Sequence, residues 1–82
     1  MASRAELIRQ ANRVESLILM HPDGLTLPDI VRLYEDVYRV EIPERTMLRR
    51  LRVLMRQGRV RCQGAARATR YMLVPSCYAM TG

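Results

Sequence analysis

The sequence predicts a small α+β domain in which three helices are followed by a two-stranded β-hairpin. Two observations lead to this fold class. Apolar residues recur at the 3.6-residue spacing of a helix in three successive segments before Gly58. After Gly58 the spacing changes to two, which is the alternation of a strand. With 82 residues, the chain is long enough for one domain with one modest core.

The first helix is predicted over residues 4–20. Ser3 and Glu6 have the spacing of a capping box, in which each side chain accepts a hydrogen bond from the other residue's backbone N–H. Apolar residues follow at helical spacing: Leu7, Ile8, Ala11, Val14, Leu17 and Ile18. A proline and an Asp-Gly turn signal at residues 22–24 then end the helix.

The second helix is predicted over residues 27–38. Thr26 has a side chain suited to a helix N-cap, and a proline such as Pro28 is tolerated in the first turn. An apolar stripe at helical spacing follows, made of Ile30, Val31, Tyr34, Val37 and Tyr38. Residues 39–41 form a short connection to the next helix.

The third helix is predicted over residues 43–57, with Gly58 at the position of a C-capping glycine. On a helical wheel, its apolar face contains Met47, Leu51 and Leu54. Four arginines lie on the opposite side, about 140–200° from Met47. We call these four residues the arginine column: Arg45, Arg49, Arg52 and Arg56. Because like charges at this spacing repel and Glu44 is the one acidic residue of the segment, the column predicts an external polyanionic ligand.

The last predicted element is the hairpin, over residues 59–74. Val60 and Cys62 alternate with polar residues in its first strand, so both side chains are predicted to point toward the core. A turn of small residues leads to the second strand. The domain is therefore predicted to span residues 1–75 and to be followed by a flexible tail, residues 76–82.

Positive charge is concentrated in the second half of the chain. Residues 1–41 hold five arginines and seven acidic residues, a net charge of −2, whereas residues 42–82 hold nine arginines and one acidic residue, a net charge of +8. All 14 basic residues are arginine. Arginine suits forked contacts with phosphates and guanine edges, although a GC-rich genome would give the same bias. The charge asymmetry favours a polyanionic partner.

The remaining composition excludes several classes of protein. Two cysteines and one histidine supply neither a disulfide framework nor a zinc site, so we expect no metal or cofactor and a reducing, cytoplasmic location. One histidine and no lysine leave no nucleophile–base arrangement, and we expect no enzymatic activity. The apolar runs are too short for a membrane span, so we expect no membrane association.

Four stretches share the pattern of a known family: LTLPDI (25–30), IPERTMLRRL (42–51), LRVLMRQGRV (51–60) and GAARATRYML (64–73). On these motifs the segment from Leu25 to Leu73 resembles bacterial winged helix-turn-helix regulators, among them DeoR-like and Fic-associated winged-helix domains. The order of three helices and a hairpin is the arrangement of that class, in which the hairpin is called the wing.

The resemblance implies a small sequence-specific protein that binds double-stranded DNA, with the third helix in the major groove and the wing, residues 64–70, on the backbone or minor groove. The residues expected at base edges or nearby phosphates are Pro43, Glu44, Arg45, Thr46 and Arg49. Arg52 and Arg56 are expected to reach the backbone, and the expected wing contacts are Arg67 and Arg70. We interpret the chain as a transcriptional regulator of the kind that phages and other mobile elements carry.

Several alternatives stay open at this stage. Arg45 and Arg49 either read guanine or contact phosphates alone, and Thr46 either caps the third helix or donates to a phosphate. Arg59 and Arg61 either cover the hairpin edge or contact DNA. The protein either forms a homodimer through the first helix or the tail, or acts alone. The alternative to DNA binding is a winged-helix interaction module whose cationic face docks on an acidic protein partner.

Overall fold

Three helices and three short strands make up the part of the chain that the computed structural model describes, residues 3–65 and 68–74. The helices are α1 (Arg4–Leu19), α2 (Leu27–Tyr38) and α3 (Glu44–Arg56). The strands are β1 (Leu25–Thr26), β2 (Val60–Gln63) and β3 (Arg70–Leu73). The mainly helical α+β class is confirmed, and the helix bounds differ from the predicted ones by at most one residue at either end.

The strands form one antiparallel sheet in the order β1–β3–β2. The prediction of two strands was incomplete, because β1 pairs with β3 through Leu25 opposite Tyr71 and Thr26 opposite Arg70. A two-residue strand is too short to show period-two alternation, so in the sequence these residues looked only like the approach to α2. The added strand ties the start of α2 to the hairpin.

Side-chain caps hold the starts of α1 and α2. The Ser3 Oγ accepts a hydrogen bond from the Glu6 N–H at 3.2 Å. The predicted capping box is only half formed, because the Glu6 carboxylate pairs with Arg9 at 3.1 Å instead. At α2, the Thr26 Oγ1 accepts from the Asp29 N–H at 3.4 Å, as the sequence predicted. These caps satisfy backbone donors that a helix start would otherwise leave open.

The core lies between the three helices and one face of the sheet. Its largest side chains, each less than 2% exposed, are Tyr34, Ile18, Ile30, Met47, Leu51, Leu54 and Val14. Tyr71 joins them from β3, and Leu25 joins them from β1. All three helices and the sheet therefore share one core, which holds α3 in a single orientation.

A buried tyrosine and an arginine join α1 to α2. Arg13 donates a hydrogen bond to the hydroxyl of the fully buried Tyr34 at 3.4 Å. The same guanidinium lies 4.6 Å from the ring centroid of Tyr38, which is cation–π distance. This contact gives the Tyr34 hydroxyl a partner that burial would otherwise deny it.

Cys62 does not point into the core, and that prediction was wrong. It lies opposite Tyr71 in the register, two residues along β2 from the buried Val60, yet its side chain is exposed. Alternation correctly indicates which face of the sheet a residue shares, but it does not show how far the core extends beneath that face. Here the core covers Val60 and ends before Cys62.

Helix α2 ends on a residue with left-handed backbone geometry. Arg39 is the C-cap, with φ +61° and ψ +29°, and its N–H donates to the Glu35 carbonyl at 2.8 Å. Glycine is the residue that usually occupies this conformation, because a Cβ atom there crowds the backbone. No local sequence signal indicated this geometry.

We expect Arg39→Gly to raise the free energy of unfolding by about 0.5–1 kcal/mol, because it removes the Cβ penalty of the left-handed conformation. Urea unfolding followed by circular dichroism would measure the change. Arg39→Ala is the matched control, since it removes the same charge and keeps the Cβ. A glycine variant no more stable than the alanine variant would contradict the assignment of strain to the backbone.

Candidate nucleic-acid interface

Helix α3 presents two opposite faces, one to the core and one to solvent. Met47, Leu51 and Leu54 are each 0% exposed. Every member of the arginine column is exposed. Because the apolar side chains are clamped between α1, α2 and the sheet, α3 cannot rotate to bring the column inward without emptying the core. The packing therefore holds the four guanidinium groups on the surface.

The arginine column has no internal counter-charge within residues 3–65 and 68–74. The ion pairs there join Arg9 to Glu6 and Arg59 to Glu15, and no hydrogen bond of the described residues uses a column side chain. From Arg45 to Arg56 the column runs about 16 Å along the helix at 1.5 Å per residue. Four uncompensated positive charges on one helix face repel each other and favour an anion that spans them.

Two other arginines of the basic half hold the fold together. The Arg50 Nε donates to the Gln10 Oε1 at 3.1 Å, which links α3 to α1. Arg59 pairs with the Glu15 carboxylate, with an Nε to Oε2 distance of 3.0 Å, and also donates to the Asn12 Oδ1 at 3.2 Å. Arg59 thus ties the start of β2 to α1, a role that the sequence did not indicate because its partners lie more than 40 residues away.

The start of α3 places three predicted site residues beside the column. Pro43 is the N-cap residue and Glu44 opens the first turn, and both are exposed. Thr46 is half-buried within the first turn and does not cap the helix, which begins without a side-chain cap hydrogen bond. The capping alternative for Thr46 is therefore not realised. Glu44 lies where a negative charge favours the helix dipole.

Of the two predicted wing residues, the structure describes Arg70. Arg70 is exposed on the central strand β3. A Cβ atom placed on Gly24 would lie 3.1 Å from the Arg70 Cβ and 3.0 Å from the Met72 Cε, so these residues share the outer face of the sheet. Tyr71 points to the opposite, inner face. Arg67 lies outside the described residues, as do Cys77 and the rest of the predicted tail.

Tyr71, which is buried on the inner face of the sheet, has a raised pKa. Burial raises the pKa of Tyr71, the electrostatic effect of the Cys62 side chain raises it further, and the Arg52 guanidinium opposes both effects. Because the folded pKa is raised, the stability that neutral Tyr71 contributes is present below about pH 10 and is lost as pH rises through the folded value.

Neither a metal centre nor a membrane span is found among the described residues. Within residues 3–65 and 68–74, no three His, Cys, Asp or Glu side chains come together as metal ligands would. None of the described helices has the length and apolar content needed to cross a bilayer. Comparison with protein-family models, with curated proteins and with solved structures finds no match to this chain.

Proposed function

We propose that this protein is a small sequence-specific double-stranded DNA-binding protein of the winged helix-turn-helix kind, acting as a transcriptional regulator. In this proposal α2 and α3 form the helix-turn-helix, and α3 is the recognition helix in the major groove. The observation that carries it is the exposed arginine column, which has no counter-charge among the described residues and lies opposite a fully buried apolar face.

The dimensions of the column suit a duplex. The major groove is about 12 Å wide and admits one helix. Along about 16 Å of axis, B-DNA presents on the order of nine phosphate charges, at one per 1.7 Å. Four guanidinium groups spread along the same length can therefore meet several phosphates at once. Each contact between a guanidinium group and a phosphate releases counterions condensed on the DNA, which is the main source of affinity for duplex DNA.

The two ends of the column have different roles in the proposal. Arg45 and Arg49 lie near the start of α3, the end that contacts base edges in helix-turn-helix proteins, with Thr46 between them. Arg52 and Arg56 lie further along and are assigned to the phosphate backbone. Base contacts supply sequence preference, whereas phosphate contacts supply affinity and register.

We expect the affinity for duplex DNA to fall steeply with salt. With about five phosphate contacts, the slope of log K against log salt is expected to be roughly −4 to −5. Arg56→Ala should make that slope shallower by about one unit, because the variant neutralises one phosphate fewer. Fluorescence anisotropy would measure both slopes. The labelled duplex would be one that the protein selects from a random pool. A slope near zero would contradict DNA binding and favour an acidic protein partner.

The same assay separates base reading from phosphate contact. In the proposal, Arg45→Ala relaxes sequence preference in the random-pool selection, whereas Arg56→Ala weakens all duplexes alike. Each variant is the other's control, since both remove one exposed arginine from the same helix face. If neither substitution alters binding to any duplex, the assignment of α3 to the groove is wrong.

A further inference from the structure

A groove between α1 and α3 has apolar walls. Its volume is about 390 Å³. Helix α1 contributes Leu7, Ile8 and Ala11 to the lining, and α3 contributes Val53. Small-molecule sites in proteins have volumes of about 300–1,000 Å³, and this groove lies toward the lower end of that range. The groove therefore has room for a small apolar group.

Arg50 adds a charged wall to this groove, and its guanidinium is held in place by neutral groups. The half-buried Arg50 donates from its Nε to the Gln10 Oε1 at 3.1 Å. Gln10 in turn donates to the Glu6 carboxylate at 3.3 Å. The two Nη groups of Arg50 have no acceptor within residues 3–65 and 68–74. These two groups form a fork that fits the two oxygens of a carboxylate.

Two side-chain amides at the groove also present open donors. The Asn12 Oδ1 accepts from the Arg59 Nη2 at 3.2 Å, and the Gln57 Oε1 accepts from the Arg59 Nη1 at 3.0 Å. Both amide oxygens are therefore engaged. The amide N–H groups of Asn12 and Gln57 have no acceptor in the part of the chain that the structure describes.

The charge of the groove is positive, and Arg50 supplies it. Arg59 also lines the groove, but it pairs with the Glu15 carboxylate. None of the described residues that line the groove carries a carboxylate of its own. The open polar groups of the lining side chains are thus donors, while their amide oxygens are already engaged. A carboxylate is the complementary ligand group, because it is negative and only accepts hydrogen bonds.

We propose that this groove binds a small monocarboxylate with an apolar chain. The chain lies between Ala11 of α1 and Val53 of α3, and the carboxylate accepts from the Nη groups of Arg50. The amide N–H groups of Asn12 and Gln57 add donors beside it. The site uses no residue of the arginine column, so it stands or fails independently of DNA binding.

An NMR titration of the full chain with octanoate tests the proposal. Octanoate is expected to cause saturable shifts of the backbone amide signals of Ala11 and Val53. Octanamide has the same chain without the charge, and it should bind at least about tenfold more weakly because charge-assisted hydrogen bonds are the stronger ones. Acetate has the charge without the chain, and it should also bind at least about tenfold more weakly.

The matched variants are Arg50→Gln and Arg4→Gln, each of which removes one positive charge. Arg50→Gln should weaken octanoate binding at least about tenfold and leave octanamide binding almost unchanged, because the amide carries no charge. Arg4 is exposed at the start of α1 and does not line the groove, so Arg4→Gln should leave octanoate binding unchanged. Circular dichroism would confirm that both variants fold, and the comparison of the three ligands on the wild-type chain needs no variant.

Four results would overturn the proposal. The first is the absence of saturable shifts with octanoate. The second is a set of shifts confined to the arginine column, which would mean that octanoate binds there as a simple anion. The third is equal affinity for octanoate and octanamide, which would remove the role of the charge. The fourth is a folded Arg50→Gln chain that binds octanoate as tightly as the Arg4→Gln chain.

Discussion

Replacing the whole arginine column with glutamine is expected to weaken duplex DNA binding at least about a thousandfold at 0.1 M salt. The loss of Arg52 and Arg56 costs slightly under one log unit for each phosphate that is no longer neutralised, and the loss of Arg45 and Arg49 costs about 1–3 kcal/mol for each base contact. The fold should survive, since all four side chains are exposed and glutamine is a good helix former. Removing the neighbouring like-charge pairs should even stabilise α3 by some tenths of a kcal/mol per pair. Anisotropy titrations measure the affinity, and thermal melts measure the stability.

The matched control is a second fourfold glutamine variant that removes the same charge elsewhere. Its positions are exposed arginines of the first half of the chain: Arg4, Arg9, Arg32 and Arg39. Both variants lower the net charge from +6 to +2, so a loss caused by net charge alone would be equal in the two. Equal losses of DNA affinity in the two variants would mean that the arginine column has no special role in binding. A loss of affinity confined to the column variant would support that role.

Leu51→Ala is expected to lower the free energy of unfolding by about 3–5 kcal/mol, because Leu51 is fully buried and its truncation leaves a cavity among α1, α2 and the sheet. A domain of this size has a total stability of about 4–12 kcal/mol. If the wild-type stability lies near the lower end of this range, the Leu51→Ala chain should be largely unfolded. It should then lose DNA binding as a consequence. Urea titration followed by circular dichroism would give the difference.

The control for Leu51→Ala is Val37→Ala. Val37 is 56% exposed on α2, and its truncation should change the stability by less than about 0.5 kcal/mol. A similar loss in both variants would mean that the apolar face of α3 is no more important to the fold than a surface valine. In that case the packing would not hold the arginine column on the surface.

The elements that the sequence predicted well depend on neighbours within a few residues. The helical periodicity of α1, α2 and α3 is such a signal, and so are the caps at Ser3 and Thr26. Gly58 is another: it has φ +75° just after α3, and the following Arg59 N–H donates to the Leu54 carbonyl at 2.9 Å, as in a Schellman motif. Such contacts span one or two turns, so their residues stand close together in the chain.

The exposure of the arginine column could also be inferred from the sequence. Opposite sides of one helix must face opposite environments, and an 82-residue chain has one core for its apolar side to enter. Once Met47 and Leu51 are assigned to that core, the position of Arg49 and Arg52 follows from helix geometry alone. DNA as the ligand of this surface remains a proposal.

Features that depend on distant partners escaped prediction. β1 exists because Leu25 meets Tyr71, and Arg59 is held by Glu15 across 44 residues. Cys62 is exposed because the core ends beneath Val60. Periodicity and capping encode local geometry, whereas these features arise only when segments far apart in the chain are packed together. Local patterns thus determined the helices and the basic face of α3, and long-range packing determined the third strand, the partner of Arg59 and the exposure of Cys62.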